Sequence, residues 1–158
     1  MDLYSEMEVM NDKEISARLE IEFEAYSLRI QLEGRVLGDI AMNHVIPTAV
    51  NYQNTLIRNV RGLKEVFGKE FETVAKEQMD LIKRISEHIS GITTKTNAMV
   101  EERKKANKTL DEEKKAFLYC DKVKPYFEKI RYHCDKLELM IDDELWPLVK
   151  YREMLFTR

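Results

Sequence analysis

The chain has 158 residues, 44% hydrophobic and 35% charged, with a formal net charge of −3 and only 5 Gly and 3 Pro. A chain of this size buries roughly two-thirds of its unfolded surface without disulfide or metal staples. So few turn-formers exclude an all-β sandwich or a βαβ series, and the Glu, Lys, Leu, Ile and Met content favours long helices. The two signs of charge are interspersed, so the one-sided cationic face of a nucleic-acid-binding protein is absent.

The opening MDLYSEMEVMNDKE is acidic where a signal peptide is basic and then apolar. Residues 1–11 read as a flexible segment, and 12–158 as a single all-α domain, a bundle of four to five helices, some long and Pro-kinked. No apolar run reaches the length of a membrane span, and a cytoplasmic location without membrane or nucleic-acid partners is the expectation.

Residues 12–44 contain two conflicting periods. ISARLEIEFEA alternates apolar and polar residues like a strand. Against this, Leu19, Phe23, Tyr26, Ile30, Leu37 and His44 recur at three-, four- and seven-residue steps, and Ile21, Ala25, Leu28 and Leu32 form a second stripe. The run is too long for one strand, so a helix is expected. Its two apolar stripes make it either central or partly covered by a partner.

Pro47 marks a kink or the first turn of a new helix, because it lacks an N–H and clashes with the preceding turn. After it, Ala49, Tyr52, Leu56, Val60, Leu63 and Phe67 form a stripe that ends at Gly68, a C-terminal cap. Phe71, Val74, Gln78, Ile82, Ile85, Ile89, Ile92 and Met99 mark a further long helix, whose pattern weakens between Gly91 and Thr96. The run Arg103, Lys104, Lys105, Lys108 before Asp111, Glu112 and Glu113 reads as a solvated helix end or connection. Phe117, Cys120, Val123, Phe127, Ile130, Cys134, Leu137 and Ile141 form the next stripe, with a kink expected at Pro125. Asp142 or Asp143 is expected to cap a last helix, ELWPLVKYREMLF, with Pro147 in its first turn.

Residues that carry chemistry are sparse. His44, His88 and His133 are far apart and belong to no short-spaced ligand cluster. His133 and Cys134 are adjacent, so on a helix their side chains diverge by about 100°. Cys120 and Cys134 lie two heptads apart, about 21 Å along a helix, and read as reduced thiols. There is no G-x-S-x-G, P-loop or G-x-G-x-x-G motif. The segment GRVLGDIAMNHVIPTAVNYQN is the exception to a bland bundle, since it gathers glycines, amides and Pro47. Its Asn43, His44, Asn51, Gln53 and Asn54 are candidates for an inter-domain or subunit contact; packing and satisfaction of the kinked backbone is the other reading.

EIEFEAYSLRIQLEGRVLGDIAMNHVIPTAVNYQNTLIRNVRGLKEVFG resembles the C-terminal region of type III glutamine synthetases, the large bacterial form, and LELMIDDELWPLVKYREMLFTR resembles that family's terminal segment. The resemblance covers the chain from about Lys13 onward. It implies a C-terminal fragment of an ATP-dependent glutamate–ammonia ligase of nitrogen assimilation and glutamine biosynthesis. It further implies ATP and Mg or Mn for the parent enzyme, with an upstream catalytic domain and the neighbouring subunits of a homo-oligomer as partners. None of the family's catalytic motifs occurs here, so no catalytic, cofactor-binding or metal residue carries over, and the chain alone is expected to be inactive. A free-standing helical scaffold that binds a partner helix through the second stripe is the alternative.

Overall fold

A computed structural model describes residues 11–155, and every regular element among them is helical. The order is α1 (Asp12–Ile40), a π-helical turn (Ala41–Val45), α2 (Ile46–Phe67), a 3-10 turn (Gly68–Glu70), α3 (Phe71–Val74) and α4 (Lys76–Ala106). There follow α5 (Glu112–Leu118), a second π-helical turn (Tyr119–Val123), α6 (Pro125–Glu138) and α7 (Tyr151–Leu155). The expected all-α bundle is therefore what the chain forms. The flexible segment expected over 1–11 lies, apart from Asn11, outside the described residues.

Helix wins over strand in α1, and its start is fixed by a reciprocal cap. Asn11 Oδ1 accepts from the Glu14 backbone N–H at 2.9 Å, and Glu14 Oε2 accepts from the Asn11 N–H at 2.9 Å. This capping box satisfies two donors that a helix N-terminus otherwise leaves to water.

The described residues group into two compact units. The first takes in α1 up to Val36 together with Asn97–Phe127. Its core is Ile30, Met99, Ala106, Ala116, Tyr119 and Val123. Three helices meet at Gly34: a Cβ there would lie 3.2 Å from Phe127 Cε1 on α6 and 3.7 Å from Met99 Sδ on α4. The connection between α4 and α5 turns tightly. Lys108 and Thr109 donate back to the Lys105 and Ala106 carbonyls, and Asp111 caps α5 by accepting from the Lys114 N–H at 3.0 Å. Buried Tyr119 closes this turn, its hydroxyl donating to Asn107 Oδ1 at 2.6 Å. The cationic run expected to be a solvated helix end is the last turn of α4, where Lys104 and Lys105 pair with Glu101 and Glu102.

The second unit takes in Leu37–Thr96 and the residues from Glu128 onward. Ala41, Val45, Ala49, Ala75, Ile85, Ile92, Ile130, Leu137, Ile141 and Trp146 form its core. Each fully buried Ile or Leu contributes about 1.5–3 kcal/mol. Gln53 ties α2 to α4 by donating to the Ile82 carbonyl at 2.9 Å and to Ser86 Oγ at 2.8 Å. The Gly68 cap is observed, with φ +52° and its N–H donating to the Lys64 carbonyl. That backbone conformation favours glycine.

Pro47 and Pro125 are accommodated alike. Each is preceded by a five-residue π-helical turn that ends two residues before it, and the Ile46 and Lys124 N–H groups reach the Ala41 and Tyr119 carbonyls five residues back. Widening one turn gives the proline ring room beside the carbonyl four residues before it. The second π turn corrects one expected stripe. An extra residue in the turn slips the helical phase by one, so Ala116 and Tyr119 are buried in place of Phe117 and Cys120, which are exposed. His44 is likewise exposed in the first π turn, where Ala41 and Val45 take the inner positions.

The expected helix over ELWPLVKYREMLF is also corrected, since only Tyr151–Leu155 is helical. Asp142 caps a single turn: its Oδ1 accepts from the Glu144 N–H, and its carbonyl from Leu145 and Trp146. Pro147 ends that turn by biasing Trp146 away from helical backbone. Buried Trp146 and Lys150, which bonds to Asp143 and to the Glu138 carbonyl, hold the segment down.

Candidate functional site

On α1 the second stripe has no partner among the described residues. Ile21 is 62% exposed, Leu28 53%, Leu32 52% and Val36 57%, and Ala25 is exposed with them. Spacings of four, three, four and four residues place these five on one helical face. The opposite face, through Ile30 and Gly34, is buried. No charged residue occupies the exposed row itself, the composition found at the centre of protein contacts. Beside it, Glu22, Phe23, Tyr26, Ala116, Phe117 and Cys120 line an open hollow between α1 and α5, with Phe23 and Phe117 rings 6.5 Å apart. Hydrogen bonding with Cys120, reinforced by burial, pushes the Tyr26 phenol up to about 12.

The five polar candidates separate. Asn43, His44, Asn51 and Asn54 are exposed. Asn43 donates to Asp39 Oδ1 one turn back, at 2.5 Å. Gln53 points the other way and is engaged within its own unit by Ile82 and Ser86. Gln53 is thus engaged within its unit, while the other four leave polar groups at the surface.

Sequence reasoning missed one cluster. His88 on α4 and His133 on α6 face each other, with Nδ1 atoms 2.9 Å apart and ring centroids 5.2 Å apart. Gly91 makes this approach feasible: a Cβ there would lie 2.5 Å from His133 Cε1. The weakened pattern from Gly91 to Thr96 is therefore a packing feature of a continuous helix. A glycine three residues after a histidine was the only sequence signal, and the partner lies 45 residues away.

Among the described residues, no group of three or more His, Cys, Asp or Glu is placed to hold a metal ion. Arg84, Lys95 and Lys136 act electrostatically on the His88–His133 pair, a poor setting for a cation. The one described glycine with positive φ, Gly68, caps a helix with nothing packed within 4 Å of it. These residues do not fit the divalent metal or the nucleotide phosphates that the resemblance implies for a parent enzyme. Also among the described residues, no helix is long and apolar enough to cross a membrane.

Residues 1–64 match the family model of the glutamine synthetase C-terminal domain. A glutamine synthetase of Bacteroides fragilis is 48% identical over 151 residues, covering 95% of this chain and 21% of that protein. A type-3 glutamine synthetase of Dictyostelium discoideum is 26% identical over 163 residues, covering 99% of this chain and 21% of its own length. The chain spans about a fifth of the length of the curated relatives it matches.

Proposed function

Because this chain carries the glutamine synthetase C-terminal domain, matched over residues 1–64, we propose that it is an accessory domain of such a ligase, with no active site of its own. Its task is to pack against the catalytic domain and to support assembly of a homo-oligomer. The observation that carries this reading is the exposed row Ile21, Ala25, Leu28, Leu32 and Val36, backed by a buried opposite face. Covering the four large side chains of this row, Ile21, Leu28, Leu32 and Val36, supplies several kcal/mol at about 25 cal/mol per Å² of apolar area, before the entropy of association is subtracted.

Asn43, His44, Asn51 and Asn54 supply hydrogen-bonding contacts to neighbouring domains or subunits, as the polar parts of an interface do. ATP, the divalent metal and the ligase chemistry belong to the catalytic domain, in the cytoplasm. The domain's contribution to the reaction is positional.

Deleting the sequence from a full-length glutamine synthetase that carries it tests the proposal. Size-exclusion chromatography with light scattering should show loss of the native assembly or of solubility. An intact oligomer with the same number of subunits would overturn the assembly role.

A further inference from the structure

The second unit contains a pair of imidazoles that the proposed function does not use. His88 Nδ1 and His133 Nδ1 are 2.9 Å apart, a hydrogen-bond distance that requires one nitrogen to carry a proton and the other to accept it. The pair lies between α4 and α6, with the His133 ring directly over Gly91. Tyr132 packs edge-on against His133 with ring centroids 5.3 Å apart, and Lys136 Nζ sits 5.5 Å from the Tyr132 centroid.

We infer that His88 and His133 form a proton-dependent latch between α4 and α6, which holds while the two Nδ1 atoms share a single proton and opens when both carry one. A neutral pair, or a pair with one imidazolium, keeps the N–H···N bond. Protonation of both Nδ1 atoms leaves two donors and no acceptor at 2.9 Å, together with two like charges.

The surroundings oppose the second charge. On α4 Arg84 and Lys95, and on α6 Lys136, oppose it, while Glu87 on α4 favours it; Glu128, Lys129, Tyr132, Lys95 and His133 line the adjoining hollow. Burial lowers His88 first, followed by its like-charge interaction with His133; burial lowers His133 first, followed by Lys95. Both imidazoles are thus held below the ordinary histidine value. With folded-state values depressed, the unfolded chain binds more protons below the ordinary histidine range, so stability is present above that range and lost as pH falls through it. Gly91 supports the geometry independently, since a Cβ at that position would lie 2.5 Å from His133 Cε1 and displace the ring.

The test is an NMR titration of the 158-residue chain, following histidine ring signals, combined with hydrogen exchange at several pH values. His88 and His133 should titrate as a coupled, two-step pair. Amide protection around residues 84–95 and 128–138 should fall with the second step, while the α4–α5 turn keeps its protection. Independent one-proton titrations would overturn the latch, as would unchanged protection through the second step. His88→Gln retains a hydrogen-bonding side chain with no second charge. Its melting temperature should fall less with acidification than that of the wild type, and an equal fall would contradict the inference. If His88→Gln does not fold, the wild-type titration decides alone.

Discussion

Four glycines show how one hydrogen atom in place of a methyl group sets local energetics. At Gly91 a methyl would sit 2.5 Å from the His133 ring, and at Gly34 it would sit 3.2 Å from the Phe127 ring. Gly91→Ala should therefore displace His133 and destabilise the chain by about 1–3 kcal/mol, the range for overpacked cores, read as a lower midpoint in urea. Gly62, inside α2, has nothing within 4 Å and ordinary helical backbone. Gly62→Ala should stabilise by about 0.5–1 kcal/mol, because it removes only unfolded-state entropy. Gly68 resembles Gly62 in having open space, but its φ of +52° makes any substitution there strained. Identical substitutions thus carry opposite signs according to what surrounds each position. None of these neighbours is legible in the sequence, which marks Gly68 as a cap but gives no sign of what faces Gly34, Gly62 or Gly91.

At the scale of elements, much was legible and the failures share a cause. The helix over α1, the cap at Gly68 and the long helix α4 follow from apolar periodicity and capping chemistry, which are local. Two stripes went wrong because a π turn inserts one residue into the helical repeat, a change of phase that periodicity counting does not register. Tyr119, which the expected stripe Phe117, Cys120, Val123 passes over, is 1% exposed, and Phe117, which that stripe would bury, is 56% exposed. The chain's phase, more than its composition at 119–123, decides what is buried. Tyr119→Ala should therefore cost several kcal/mol by emptying a core position, whereas Asp121→Ala, at an exposed position, should fall within about 0.5 kcal/mol of the wild type. Thermal unfolding monitored by circular dichroism separates the two. The C-terminal segment failed for a related reason: Pro147 was read as a helix-starting proline, but it lies after a turn that Asp142 had already capped, and it ends that turn. Long-range partners such as His88 with His133 leave no local trace beyond a glycine three residues after His88.

For the whole molecule, the central feature is a helix with one face buried and, among the described residues, an apolar row exposed on the other. Glutamine synthetase relatives about five times longer than this chain supply a natural context for such a face. Substituting Leu28 and Leu32 by Asp should leave the helical signal and melting temperature of the isolated chain nearly unchanged, because both side chains are about half exposed. The same pair should act strongly where the face is covered, since it would bury two unpaired carboxylates in an apolar contact. The most direct measurement is the solution mass, by light scattering, of a full-length glutamine synthetase that carries this sequence, with and without the Leu28→Asp and Leu32→Asp pair. Dissociation or aggregation of the variant, with a folded isolated domain, is the predicted result. A variant assembly of wild-type mass and stability would contradict the claim that this face joins the domain to its enzyme.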